Sequence, residues 1–286
     1  MEVKGIDIST WQEGFKIINA INKGYSYAIL RAGFTGTKDG VNKNKDNQFE
    51  NFYKQAKDLN YPVGAYWYSC ANTYDKGVAE ANFMYENCLK GKQFEYPIYL
   101  DVEESRYQEG NYKGVTDAIT GFCETLENKG YFVGIYASLS RFGKWFDGNL
   151  PYTKWIACWS SNKPSTSLPY FDMWQNSSSN WIYDYRVDTD FAYRDFPKII
   201  KDGGFNGFPK PEPTPTPEPT PEPEKIKVGD WVYPIEMVDY YGTHVVAYDD
   251  KYKVTELVGD RAVLKAYRNN KLVTWCAMNV NNLKKV

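Results

Sequence analysis

The sequence predicts an α/β protein, with an irregular TIM-like (β/α) barrel followed by a small all-β barrel. Three observations support this prediction. Short apolar runs alternate with amphipathic stretches in the first part of the chain, a Pro-rich segment follows, and the remainder shows strand patterns alone. The 286 residues suffice for one large and one small domain, each with its own core.

Eight apolar runs are predicted to be the strands of a parallel barrel. They are Val3–Ser9, Tyr27–Ala32, Pro62–Ser69, Pro97–Glu103, Phe132–Ala137, Lys154–Trp159, Tyr170–Gln175 and Val187–Phe191. Apolar residues at three- and four-residue spacing predict helices at Asn47–Leu59, Gly77–Leu89 and Val115–Asn128. Because the later connections are too short for full helices, we expect an incomplete outer ring of helices.

The segment Pro209–Glu224 marks a domain boundary. Its alternating prolines favour an extended polyproline II conformation, and its glutamates keep it solvated, so it cannot form a core. A docking ligand is the alternative interpretation, but the P-T-P-E-P repeats lack basic residues. We therefore predict a first domain at 1–208, a linker at 209–224 and a second domain at 225–286.

The second domain is predicted to be a small, partly closed barrel. Five short strand patterns are separated by Gly-Asp and Asn-Asn turns. They are KVGDWVYP, HVVAYDD, YKVTELVGD, RAVLKAY and LVTWCAM. Ten Lys and Arg against seven Asp and Glu make this domain mildly basic.

Composition excludes several classes of function. A net charge of −2 gives no reason to expect binding to nucleic acid or to an anionic membrane, and no apolar run is long enough to span a membrane. The five cysteines are widely spread without C-x-x-C spacing, which predicts reduced, mostly buried thiols. The N-terminus MEVKGIDIST has no charged-then-apolar leader, so we expect synthesis in a cytoplasm and release by another factor.

The single histidine, His244, removes further options. Any Ser-His-Asp or Cys-His centre, and any histidine-based metal site, would have to use it. It belongs to the second domain, away from the acidic residues described next, and we interpret it as a surface or strand residue. The sequence therefore predicts chemistry without a metal or cofactor.

Acidic residues from distant strands are predicted to meet at one rim of the barrel, where catalytic groups of such barrels lie. They are Asp7, Asp101, Glu103 and Asp188. Strand alternation places Asp101 and Glu103 on one face, with β-carbons about 6–7 Å apart, and Glu104 on the other. This spacing overlaps the separations of both carboxylate pairs used in glycosidic cleavage, an acid with a nucleophile and an acid with a base that flank a water. Repulsion together with partial burial is expected to raise the pKa of one of the two acids. A solvated strand end and a cation site are the alternatives.

Eight short motifs occur in order along the first domain. They are GIDISTWQ, RAG, GAYWYS, YLDVE, GIYAS, WIACW, MWQ and VDTDF. Over about residues 1–200 this set resembles glycoside hydrolase family 25, the Chalaropsis-type lysozymes that include many phage endolysins. The resemblance implies an N-acetylmuramidase that cleaves the β-1,4 bond from N-acetylmuramic acid to N-acetylglucosamine in peptidoglycan.

The resemblance also implies roles for the acids. Glu103 matches the general acid, and Asp101 matches a carboxylate that orients an acetamido group or stabilises the developing cation. Asp7 and Asp188 match acids lining the same site. Asp190 stands where the family often has Asn, so the roles of Asp188 and Asp190 could be exchanged. Attack by water and attack by the substrate's acetamido group both stay open.

A second set of residues is predicted to line the substrate groove, with core packing as the alternative for each aromatic. The set is Arg31, Tyr66, Trp67, Tyr68, Tyr136, Trp159, Trp174 and Gln175. At position 67 many family members carry a smaller or imidazole side chain, so the sugar contact there is expected to differ.

The second domain looks like the bacterial Src homology 3-like domains that follow endolysin catalytic domains. Its VGDWVY opening and NVNNL ending carry this resemblance. It implies binding to a Gram-positive cell wall through residues 225–286, with ligand contacts by exposed aromatics. The candidates are Trp231, Tyr233, Tyr240, Tyr241 and Trp275. A dimerisation or solubility module is the alternative.

Other classes of function are alternatives for the whole chain. An amidase or endopeptidase generally uses zinc or a Cys-His centre, which the single distant histidine disfavours. A non-catalytic peptidoglycan-binding protein would be expected to lack some of the rim acids. A host autolysin or wall-remodelling hydrolase stays open beside a phage endolysin that reaches the wall through a holin-made lesion.

Overall fold

The computed structural model describes residues 2–210 and 225–286. These residues form two compact units, one in each range. Segment 211–224, which contains most of the predicted linker, lies outside the described residues.

The first unit is a mixed α/β structure built on one sheet of nine strands. They are β1 (Val3–Ile8), β2 (Ala28–Thr35), β3 (Lys43–Lys45), β4 (Val63–Tyr68), β5 (Ile98–Asp101), β6 (Val133–Ser138), β7 (Thr153–Ala157), β8 (Met173–Ile182) and β9 (Tyr185–Ala192). Eight of them close into a barrel in the order β1-β2-β4-β5-β6-β7-β8-β9, because β9 pairs with β1, and β3 adds only to β2. All eight coincide with predicted strands.

The direction of the last strand differs from the prediction. The strands from β1 to β8 are parallel to their barrel neighbours, but β9 is antiparallel to both β8 and β1. Only residues 183 and 184 separate β8 from β9. A parallel connection needs a dozen or more residues, so this hairpin must reverse the chain. The other seven strands end at what we call the carboxyl rim, and β9 descends from it.

Six α-helices accompany the barrel in the described part of the chain. They are α1 (Ile17–Asn22), α2 (Phe49–Asp58), α3 (Tyr74–Met84), α4 (Ser105–Gln108), α5 (Tyr112–Glu127) and α6 (Phe196–Gly203), and a π-helical turn, Tyr85–Leu89, continues α3. The three predicted helices are confirmed as α2, α3 with its π-helical turn, and α5. None of the described helices has the length and apolarity needed to cross a membrane.

Strand alternation divides the buried side chains between two cores. The inner core fills the barrel with large polar-tipped aromatics such as Tyr27, Tyr99 and Trp155. The outer core lies between the barrel and its helices and includes Trp67 and Phe122. Because neighbouring residues of a strand point to opposite faces, this division decides which side chains can reach the carboxyl rim.

Two glycines allow close packing between α3 and α5. A Cβ added to Gly77 would lie 2.0 Å from the carbonyl oxygen of Ala118, and one added to Gly121 would lie 2.4 Å from that of Tyr74. Both obstacles are backbone atoms, which cannot rotate away. The distance between the two helices therefore depends on the absence of a side chain at these positions.

The second unit is a five-stranded antiparallel sheet. Its strands are β10 (Trp231–Pro234), β11 (Tyr252–Val258), β12 (Arg261–Arg268), β13 (Lys271–Asn279) and β14 (Leu283–Lys285), arranged in the order β13-β12-β11-β10-β14. The strand predicted at HVVAYDD is wrong, since His244 forms only an isolated bridge with Val238. The Asp239 carboxylate instead accepts from the Tyr241 and Thr243 amides, which turns the chain there.

Two expectations about individual side chains are confirmed. Cys70, Cys88 and Cys123 are buried free thiols, and the remaining two, Cys158 and Cys276, are partly buried. The side chain of His244 is exposed in the second unit.

We expect Gly77→Ala to lower the free energy of unfolding by about 1–3 kcal/mol, because the added methyl group forces α3 and α5 apart. Urea unfolding followed by circular dichroism measures this change. Gly36→Ala is the control, since the nearest atom to its added Cβ is 3.5 Å away. Equal stability of both variants would show that the helix contact is more compliant than the structure implies.

Candidate active site

Five carboxyl groups converge inside the carboxyl rim. Asp7 lies near the end of β1, Asp101 ends β5, and Asp188 and Asp190 lie on β9. Glu103 follows β5 by two residues, because that strand ends earlier than predicted. The antiparallel direction of β9 makes Asp188 the direct cross-strand neighbour of Asp7. The four predicted acids therefore lie around one site, and Asp190 joins them.

The side-chain amide of Gln175 connects three strands of this site. Its Nε2 donates to Oδ2 of Asp7 at 2.8 Å and to Oδ2 of Asp188 at 3.3 Å. Its Oε1 accepts from the Tyr136 hydroxyl at 2.9 Å and from Trp159 Nε1 at 3.0 Å. Gln175 is only 2% exposed. All its polar capacity is used within the protein, so it positions the acids and is not available to a ligand.

Asp101 and Glu103 differ in burial. Asp101 is 3% exposed, and its Oδ1 is buried without a hydrogen-bond partner among the described residues. Burial, with the nearby charge of Glu103, raises the pKa of Asp101 well above its ordinary value. Glu103 is half-buried. Desolvation raises the pKa of Glu103, while the guanidinium of Arg141, 3.8 Å from its Oε2, opposes that rise.

The pKa of Asp188 is shifted by the same surroundings. Burial raises its pKa to about 6, with the charge of Glu103 adding to the rise and Arg186 opposing it. Burial also raises the pKa of Asp7 well above its ordinary value, and Asp188 and Asp190 add to that rise. Three groups with raised pKa values thus adjoin Glu103, which reaches partway to solvent as Asp188 does. The arrangement can offer a proton from one carboxyl group and negative charge from another.

Glu104 serves the local structure. Its carboxylate accepts from the amide of Arg106, which caps α4, and from the hydroxyl of Tyr68 at 3.2 Å. These contacts differ from those of Glu103, in line with the opposite strand faces that were predicted for Glu103 and Glu104. The hydrogen bond also holds Tyr68 at the rim beside β5.

The predicted groove residues fall into two groups, of which the first faces the site. Tyr66, Tyr68 and Tyr136 project toward the barrel interior or its rim, as alternation along β4 and β6 requires. Trp159 is 65% exposed although its indole N–H is held by Gln175. Arg31 points the same way but is committed to an ion pair with the buried Asp46 at 2.7 Å.

The second group consists of Trp67 and Trp174, which the structure does not bring to the groove. Trp67 is fully buried in the outer core, where its Nε1 donates to Thr35 Oγ1. Trp174 is 3% exposed, stacks on Phe191 and donates to the carbonyl of Cys158. Both lie one residue from an inward-facing side chain, so the pleat turns them outward.

Two further residues at the rim were not among the predicted site residues. Asp190 is 1% exposed and accepts from Trp155 Nε1 at 2.8 Å. Trp11 is 80% exposed in the turn after β1, where its neighbour Gln12 donates to the carbonyl of Arg186. The signal for Asp190 was present, since it shares a strand face with Asp188, whereas nothing in the sequence marked the exposure of Trp11.

Comparisons with known proteins identify the family of the first unit. The model of the family Glycosyl hydrolases family 25 matches residues 6–185, more than half of the chain. No curated protein matches the chain.

Three solved structures illustrate the likeness in fold. The CTP1L endolysin matches with a TM-score of 0.59 and 26% identity, covering 70% of this chain and 69% of that one. The modular autolysin LytC from Streptococcus pneumoniae gives 0.57 and 23%, covering 67% of this chain and 47% of the autolysin. The catalytic domain of endolysin ply40 from bacteriophage P40 of Listeria monocytogenes gives 0.55 and 24%, covering 70% and 97%.

We expect Arg141→Met to raise the pKa of Glu103, because the guanidinium that favours the ionised carboxylate is removed while the apolar stem is kept. Carbon-13 NMR of labelled glutamate carboxyl groups, titrated against pH, measures the shift. Arg106→Met is the matched control, since Arg106 donates to the carbonyl of Thr37, as Arg141 does to that of Val102, but forms no ion pair with Glu103 within the described part of the chain. An unchanged or lower pKa in Arg141→Met would contradict this assignment.

Proposed function

The chain belongs to glycosyl hydrolases family 25, and we propose that it is an N-acetylmuramidase cleaving the β-1,4 bond from N-acetylmuramic acid to N-acetylglucosamine in peptidoglycan. The observation that carries this proposal is the half-buried Glu103, whose raised pKa favours its protonated form beside the more deeply buried carboxyl groups of Asp7 and Asp101. Glycoside hydrolysis needs this pairing of an acid with stabilising negative charge.

Glu103 is the general acid in this proposal. It reaches partway to solvent, where a sugar would bind, and desolvation favours its protonated form. Its proton goes to the glycosidic oxygen as the bond to the anomeric carbon breaks.

The remaining acids stabilise positive charge on the sugar. Asp101 lies nearest along the chain and either orients the substrate's acetamido group or faces the developing oxocarbenium ion. Asp7 and Asp188 supply negative charge from the opposite side of the site, and Gln175 fixes both of their carboxylates. Water or the acetamido group then attacks the anomeric carbon.

Aromatic side chains form the walls of the proposed groove. Trp159 offers an exposed ring face, and its N–H bond to Gln175 fixes that ring relative to the acids. Flat apolar faces of sugar rings pack on such surfaces at little entropic cost, because the indole is already immobilised. Tyr68 and Tyr136 line the adjoining strands. We assign the eight-stranded barrel to the TIM-like class with an incomplete helix ring.

The second unit is proposed to be a Src homology 3-like domain that binds the Gram-positive wall. Its mildly basic composition suits an anionic wall, and Tyr241 is 79% exposed beside Tyr240. Trp231 is partly buried, with Tyr267 and Lys251 against it. Trp275 instead stacks on the core residue Tyr252 at 4.0 Å, which disfavours it as a ligand contact.

The biological setting proposed is that of a phage endolysin released to the wall through a holin-made lesion. The similarity to the CTP1L endolysin favours this setting. A host autolysin is the second candidate, since the matched LytC is described as a modular autolysin, solved with a synthetic peptidoglycan ligand.

We expect Glu103→Gln to reduce muropeptide release about 10²–10⁴-fold, because an amide cannot donate the catalytic proton. Mass spectrometry of digested peptidoglycan measures the loss and identifies the new reducing ends, which should be muramic acid. Glu104→Gln is the matched control, and it should retain activity because Glu104 caps α4. Near-normal muropeptide release by Glu103→Gln, or new reducing ends that are glucosamine, would contradict the proposal.

We expect removal of residues 225–286 to weaken sedimentation with purified Gram-positive walls while leaving hydrolysis of soluble glycan fragments intact. The two units are each compact, so the first should keep its site. Co-sedimentation and fragment assays separate the two effects. Undiminished wall binding by the shortened chain would assign the second unit to dimerisation or solubility instead.

A further inference from the structure

The hairpin formed by β8 and β9 continues beyond the carboxyl rim. The pairing of β1 with β9 covers residues 188–192 of β9, and the pairing of β7 with β8 covers residues 173–175 of β8. The ladder between β8 and β9 runs further, to a last pair formed by Ile182 and Tyr185. Residues 177–187 therefore stand above the rim as a two-stranded ribbon beside the acids.

One face of this ribbon is packed and holds the ribbon in place. Ile182 is 1% exposed in the outer core, and Tyr185 packs edge-to-face on Phe15, with ring centroids 5.5 Å apart. From the turn after β1, Gln12 Nε2 donates to the carbonyl of Arg186 at 3.1 Å. An isolated two-stranded hairpin is marginally stable in water, so these contacts give the ribbon its defined position.

The opposite face of the ribbon carries Trp181 and Arg186. Arg186 and Asp188 lie two residues apart on β9, so their side chains share a face, and Trp181 is the register partner of Arg186. Trp181 is 65% exposed, and Arg186 is exposed as well. The guanidinium of Arg186 has no ion pair or hydrogen bond with any residue in 2–210 or 225–286. Its charge nevertheless reaches Asp188, whose raised pKa it opposes.

We propose that the face formed by Trp181 and Arg186 binds the stem peptide, the short peptide attached to muramic acid, of the muramyl residue at the cleaved bond. This inference rests on the proposed muramidase function. The sugar rings of a peptidoglycan strand offer mainly neutral hydroxyl and acetamido groups, whereas its stem peptides carry free carboxylates. The unpaired guanidinium matches a carboxylate in charge and in hydrogen-bonding geometry.

The place of this face suits a branch of the substrate rather than the bond that is cleaved. Arg186 lies one pleat above Asp188, and the ribbon continues from there past the rim. A peptide that branches from a bound glycan has to leave the groove past its edge, so the acids can hold the sugar while the ribbon holds the branch. The indole of Trp181 adds a flat apolar surface for the alanyl side chains of the peptide.

Binding is tested on the full chain carrying Glu103→Gln, which prevents turnover. Titration calorimetry measures its affinity for a soluble muramyl glycan fragment bearing stem peptides, and for the same fragment with its carboxylates converted to amides. Amidation should weaken binding about three- to tenfold, because a charge-assisted hydrogen bond at an exposed site is lost. Arg186→Met, added to Glu103→Gln, should weaken binding of the acidic fragment similarly and leave binding of the amidated fragment unchanged.

Lys198→Met is the matched control for the loss of charge. It removes an exposed positive charge from α6, where Lys198 is paired with Asp202, and should change neither affinity. Equal affinity of the two fragments, or an acidic-fragment affinity that Arg186→Met leaves unchanged, would show that the inference is wrong.

The aromatic part of the face is tested separately in the same background. Trp181→Ala should weaken binding of both fragments about three- to tenfold, because the apolar contact does not depend on charge, whereas Trp181→Phe should retain most of the affinity. Circular dichroism confirms that each variant is folded. A loss of affinity that follows Trp181 but not the charge of the stem peptide would assign the face to sugar alone and contradict the inference.

Hydrolysis separates this inference from the proposed function. With Glu103 intact, Arg186→Met should raise the KM for the acidic fragment about three- to tenfold and keep kcat within about twofold, because Arg186 contacts the substrate away from the reacting bond. Equal kcat/KM of the wild type for both fragments would contradict stem-peptide binding and leave the muramidase proposal intact. Absence of cleavage by the wild type would contradict the muramidase proposal, and the calorimetric comparison would still decide the role of Arg186.

Discussion

Repulsion among acids confined to one barrel end is the constraint on which the rest of this structure depends. Five carboxyl groups share the carboxyl rim, and burial raises the pKa of each. The side-chain amide of Gln175 offsets part of this repulsion by donating to both Asp7 and Asp188. The only ion pair recorded at these acids in the described ranges is the long one between Arg141 and Glu103. Burial with little charge compensation therefore favours the protonated forms of these acids.

Strand alternation determines which side chains lie beside these acids and which pack outside the barrel. Along β4 and β8, inward residues reach the site, whereas Trp67 and Trp174 brace the barrel from outside. Polar ends of inner-core aromatics hold the site from within, since Trp155 donates to Asp190 and Tyr136 donates to Gln175. Aromatic residues make up 17% of the chain, and many of them pack inside the barrel or behind it, so only part of this set is free to bind sugar.

Much of this arrangement followed from residue patterns, and the failures have physical causes. The barrel strands and main helices were predictable because their periodicity is strong, and the rim acids because parallel strands end together. The reversal of β9 could have been inferred from the two-residue connection before it. Asp190 stands where the resembled family often has Asn, so the sequence analysis did not count it among the site acids. Burial of Trp67 depended on which face of β4 met α3, and one strand alone does not reveal that.

The closing seam of the barrel has a consequence for biosynthesis. The pairing of β1 with β9 closes the barrel. The hydrogen bond from Gln175 to Asp7 beside it joins residues 168 positions apart. Contacts over such separations form late, since the intervening chain must be ordered first. A nascent chain on the ribosome therefore holds Asp7 without its partners until the β8–β9 hairpin has emerged. The acidic site therefore forms only after the whole first unit has been synthesised, and a prematurely terminated chain lacks this site.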